Sequence, residues 1–106
     1  MAASALADLE RRLQVDRRAL RMAKKYVWWQ SPERALADGR VLLAQMMTLG
    51  TADDLRWLLS VAASEHLLQV LDDPPIGVFN RRSWAYWHLR LGREPVPALP
   101  TRRLPS

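Results

Sequence analysis

Helix boundary signals punctuate this chain, and no stretch between them alternates convincingly at period two. The pair Ser31-Pro32 opens a helix: serine accepts from free first-turn N–H groups, and proline suits the first helical position. Asp38-Gly39 interrupts that helix, and "RVLLAQMMTL" then runs to Gly50, where a left-handed terminator is expected. Thr51 can cap the next helix, with Asp54 at the capping-box position and Asp53 adding favourable charge in the first turn. Ser64 is the expected cap of a further helix ending near Asp72-Asp73, before Pro74-Pro75 and Gly77 make a turn. Asn80 then caps the helix containing "RSWAYWHLRLG", which Gly92 ends. The reading is an all-α compact bundle of about five short helices.

A longer helix is expected before these five. Leu6, Leu13, Leu20 and Val27 recur at seven-residue intervals from Ser4 onward, with Leu9, Asp16 and Ala23 at the intermediate positions. That spacing predicts one long basic helix with a narrow apolar seam, flawed at Asp16. Its back carries Arg11, Arg18 and Lys25, with Arg17 and Arg21 beside them. With about three heptads and a charge at one core position, it is expected to lie on its own domain or on a partner protein rather than to pair with itself.

A chain of 106 residues, 49% of them hydrophobic, suffices for one compact core and not for two. We divide it into a basic N-terminal helix (residues 1–27), a helical core (28–92) and an extended Pro-rich tail (93–106). Formal charge is uneven across these parts. Residues 1–27 carry seven Lys/Arg against three acids, residues 28–79 three against seven, and residues 80–106 six against one. Either basic end can attract phosphates or an acidic protein surface. The lack of cysteine excludes disulfides and thiolate chemistry. No apolar run approaches the ~20 residues of a membrane span, and "MAASALADLE" lacks the features of a signal peptide. The expectation is a cytoplasmic protein with no membrane contact.

On the helix from Asn80, a rotation of about 100° per residue places Trp84, Trp87, His88 and Leu91 on one side and Arg82, Tyr86 and Leu89 on the other. The first side reads as core, because buried tryptophan removes a large area from water and needs one hydrogen-bond partner. The second, flanked by Arg82 and Arg90, reads as a contact surface. Beyond Gly92, Pro95, Pro97, Pro100 and Pro105 forbid a regular helix. Val96, Leu99 and Leu104 are candidates to fill pockets on a partner, and Arg102 and Arg103 to meet its carboxylates.

Catalytic chemistry is not indicated. His66 and His88 lack spaced metal-ligating companions, the Asp pairs sit at helix ends, and no glycine-rich phosphate loop or activated nucleophile occurs. The expectation is a non-enzyme without metal or cofactor.

The order "WWQSPERAL…LLAQMMTLGTADDLRWLL…F…RSWAYWHLRLG…VPALPTRR", spanning residues 28–103, resembles a group of small bacterial proteins associated with genes for AbiEii-type nucleotidyltransferase toxins, where they are proposed antitoxins. The resemblance implies a nucleotidyltransferase-type toxin as partner, blocked without chemistry. Two other readings stand beside it. One is a nucleic-acid-binding regulator. The helices at 51–62 and 64–72 permit a helix-turn-helix, although "SEHLLQVLDD" offers only His66 and Gln69 for base reading. In that reading Arg17, Arg18, Arg21, Lys24 and Lys25 of the N-terminal helix contact phosphates, giving weak binding at physiological salt. The other is a structural homo-oligomer formed through the Leu6 to Val27 seam.

Overall fold

The computed structural model describes residues 5–100, and among them seven helices and no strand. They are α1 (Ala5–Leu13), α2 (Arg17–Tyr26), α3 (Pro32–Ala37), α4 (Gly39–Leu49), α5 (Ala52–Val61), α6 (Ser64–Asp72) and α7 (Arg81–Arg90). The all-helical class and the five helices expected after residue 30 are found. The single long N-terminal helix is not: it breaks after Leu13 into α1 and α2.

The break has a local cause. Asp16 takes an extended conformation, and its carboxylate accepts from the N–H groups of Arg18 at 2.8 Å and Ala19 at 3.1 Å. An aspartate that disturbs a heptad seam is thus the N-cap of a new helix, satisfying donors that α2 would otherwise leave free. The apolar seam survives the turn. Leu6, Leu9, Leu13, Ala23 and Val27 are all buried in one core with the rest of the chain, so the seam is closed to self-pairing through those side chains.

α4 is the centre of the molecule. Leu42, Leu43, Ala44, Met46 and Met47 are all buried, and α2, α3, α5, α6 and α7 pack around it. A helix apolar on nearly every side has to be enclosed, and the shorter amphipathic helices provide that enclosure. α1 lies across α6 and α3, with the Leu6 N–H donating to Gln69 Oε1 at 2.8 Å. It also supplies the first turn of α4. Asp38 makes no side-chain cap there, and Glu10 Oε2 instead accepts the Gly39 N–H at 2.6 Å. Burial raises the Glu10 carboxyl above its ordinary value, against the lowering by that N–H.

Several expected caps are present. Ser31 Oγ accepts from Arg34 N–H, Thr51 Oγ1 from Asp54 N–H, and Asn80 with Ser83 forms a reciprocal capping box. Three expectations need correction. Asp54 does not complete a capping box with Thr51: its carboxylate accepts from Lys25 and Tyr26, and the Thr51 N–H donates to Tyr26 Oη at 3.4 Å. Gly50 is not left-handed, having φ −62° and ψ 140°. Glycine is needed there because a Cβ would come 2.4 Å from the Met46 carbonyl oxygen. Ser64 is the first helical residue and not the cap. The cap is Ala63, whose N–H donates to His66 Nδ1 at 2.8 Å, so that nitrogen carries no proton.

Three residues fasten α2 to α5. Asp54, buried, accepts from Lys25 Nζ at 2.6 Å and Tyr26 Oη at 2.5 Å. Hydrogen bonding to Lys25 first, and to Tyr26 second, holds the Asp54 carboxyl below its ordinary 3.8. A folded-state value below the unfolded one means the contribution is fully present above pH 3.8 and is lost as pH falls through the folded value. Asp54→Asn is therefore expected to cost about 2 kcal/mol at neutral pH, the range for hydrogen bonds to charged groups. The variant should also flatten the acid limb of a stability-against-pH curve. A variant with an unaltered acid limb would remove Asp54 as its source.

Candidate partner-binding site

α7 is divided as its periodicity predicts. Trp84, Trp87 and His88 are buried, and Leu91 is half-buried. The Trp87 indole N–H donates to the Met47 carbonyl at 2.7 Å, filling one of the acceptors left free in the last turn of α4. His88 Nδ1 donates to the Trp84 carbonyl at 2.7 Å, since a carbonyl oxygen can only accept. These bonds fix the helix rotation, and that rotation turns the other face outward.

The outward face carries Arg82, Tyr86, Leu89 and Arg90, all exposed, with Tyr86 at 49% and Leu89 at 52%. Arg90 Nη1 donates to Tyr86 Oη at 2.7 Å, and its guanidinium carbon lies 5.9 Å from the Tyr86 ring centre and 5.5 Å from that of Trp87. The Tyr86 ring meets Trp87 edge-on at 5.2 Å. A tyrosine held in this way loses little side-chain freedom on meeting a partner. Beside it, Met47, Thr48, Asn80, Arg82, Ser83 and Tyr86 line a shallow cleft of about 340 Å³.

The tail is placed differently from expectation. Residues 93–100 contain neither helix nor strand, yet they lie against the core and are not free. The helix ends in a Schellman motif: Arg93 N–H donates to the His88 carbonyl and Gly92 N–H to that of Leu89, with Gly92 at φ +78°. Arg93 then forms a forked ion pair with Asp72, whose carboxyl is lowered chiefly by that contact. Trp84 Nε1 donates to the Pro97 carbonyl at 2.8 Å, and Val96 and Leu99 are half-buried on the chain's own core. Those two side chains therefore serve the fold first. Arg102, Arg103 and Leu104 lie outside the described residues.

The cations assigned to phosphate contact all stand on α2. Arg17, Arg18, Arg21 and Lys24 are exposed, whereas the Lys25 ammonium is engaged by Asp54. Of the two side chains offered for base reading in a helix-turn-helix, His66 is buried with its Nδ1 accepting from Ala63 N–H, and Gln69 is half-buried with its Oε1 accepting from Leu6 N–H. Sequence reasoning also missed Trp28 and Trp29, which are 75% and 50% exposed. Their signal was the pairing of two tryptophans just beyond a helix end. Compared with known protein families, curated proteins and solved structures, the chain matches none.

Proposed function

We propose that the protein is a non-catalytic antitoxin-like protein that binds and neutralises a nucleotidyltransferase-type toxin through the outer face of α7. The observation that carries a binding role is the Arg82, Tyr86, Leu89 and Arg90 face, exposed and internally ordered beside a cleft. An aromatic anchor flanked by arginines has the composition of an interface hot spot. The kind of partner comes from the resemblance of residues 28–103 to proteins associated with such toxins. A nucleotidyltransferase gathers carboxylates around its metal, and Arg82 and Arg90 would complement an acidic rim of that kind. Occupation of the rim would exclude nucleotide or acceptor without any chemistry by the bound protein. Beyond Pro100, Arg102 and Arg103 would extend the same attraction.

Titration against an AbiEii-type nucleotidyltransferase encoded in the same gene neighbourhood tests the proposal. Wild-type protein is expected to bind and to suppress nucleotide transfer. Tyr86→Ala with Leu89→Ala should weaken binding at least tenfold, since a hot-spot residue contributes about 2 kcal/mol or more. The melting temperature should stay near wild type, both side chains being exposed. No binding by the wild type, or equal binding by the variant, would overturn the assignment.

A further inference from the structure

Tryptophan is highly buried on average in folded proteins, because its large ring gains most from leaving water. Trp28 and Trp29 depart from that rule together. They stand in the connection between α2 and α3, 75% and 50% exposed, with their rings edge-to-face at 5.7 Å and 89°. The connection is well anchored. Val27 is fully buried and its N–H donates to the Ala23 carbonyl, Gln30 N–H donates to the Val27 carbonyl, and Ser31 caps α3 directly afterwards.

These rings follow the most basic helix of the chain. Residues 17–29 contain five cations and no acid. On α2, spacings of four and three residues place Arg17, Arg21 and Lys24 along one line, over a rise of about 10 Å, with Arg18 some 100° round the axis. All four are exposed, and none has an ion-pair partner among the described residues. A line of cations without ion pairs, followed directly in the chain by two exposed aromatic rings, combines the two elements of single-strand recognition: charge that tracks phosphates and π-faces on which unpaired bases stack.

We infer that α2 and the Trp28-Trp29 turn form a binding surface for single-stranded nucleic acid, RNA or DNA alike, since neither element reads the sugar. Duplex is a poorer occupant, because its bases are already stacked on one another. An anionic membrane is a poorer one too. An interfacial helix inserts its apolar face, and that of α2, comprising Ala19, Met22, Ala23 and Tyr26, is buried in the core. This surface is separate from α7 and does not depend on the toxin reading.

Fluorescence anisotropy of the full chain with a labelled single strand of about ten nucleotides, within the usual site size, is the test. The same sequence as duplex and phosphatidylserine-containing vesicles serve as the comparison arms. Wild-type protein should prefer the single strand. Trp28→Ala with Trp29→Ala should weaken that binding about tenfold or more and leave the salt dependence unchanged. Arg17→Gln, Arg21→Gln and Lys24→Gln together should lower the slope of log affinity against log salt by about two. Trp28→Phe with Trp29→Phe, which keeps the π-faces, should retain most of the affinity, and it carries the test should the alanine pair lower the melting temperature. Equal affinity for duplex and single strand, loss of no affinity in the alanine pair, or tryptophan-dependent binding confined to the vesicles would each overturn the inference.

Discussion

Trp87→Ala is expected to melt roughly 20 °C below the wild type. The ring is 1% exposed between α7 and α4, and removal of a buried large aromatic costs about 3–5 kcal/mol. For a domain of this size each kilocalorie corresponds to about 4–8 °C. Such a loss is a large share of the ~5–15 kcal/mol that holds a typical domain folded. The truncation also strips the Met47 carbonyl of its donor at a helix end. Trp87→Phe separates the two effects, since it restores much of the volume without the N–H and should cost about 1–3 kcal/mol. Thermal denaturation followed by circular dichroism gives both numbers. A Trp87→Ala protein that melts with the wild type would place the ring outside the cooperative core.

Truncation after Gly92 is expected to destabilise the protein by about 3 kcal/mol. Half-burial of Val96 and Leu99 contributes on the order of 1 kcal/mol each. The bond from Trp84 to the Pro97 carbonyl adds about another 1 kcal/mol. The exposed Arg93 to Asp72 pair adds little. Urea denaturation of the full and truncated chains measures the difference. Coincident midpoints for the full and truncated chains would show that residues 93–100 add nothing to the stability of the fold.

Local signals made much of this legible. Serine, threonine and asparagine caps at residues 31, 51 and 80 act within three residues of themselves, and each side chain accepts as read, although the capping box expected of Asp54 at residue 51 does not form. Helical periodicity separated the two faces of α7 for the same reason. Signals that act across the chain were hidden. Nothing near Glu10 announces that it caps a helix 29 residues away, and a proline run gives no sign that a tryptophan will bind its carbonyl. Asp16 was visible and misjudged: its place in a heptad seam suggested a flaw, while its chemistry was that of a cap. Exposure of Trp28 and Trp29 depended on where α2 and α3 turn, which no window of sequence encodes. The α7 surface was legible in its composition, but its ordering by Arg90 required the side-chain geometry.

The position of α1 has a consequence for the order in which this chain becomes a protein. α1 packs across α6, and the backbone of Leu6 is tied to Gln69, 63 residues further on. During vectorial synthesis the first helix therefore emerges long before the surface that shelters it. The part of its surface that faces α3 can be covered early, the part that faces α6 only after residue 64 has been made, and the first turn of α4 lacks its carboxylate until α1 docks. Closing a loop of that length carries an entropy cost before any contact rewards it. A closure of that length raises the mean sequence separation of the contacts above what seven short helices alone would give, and it is that mean which slows folding.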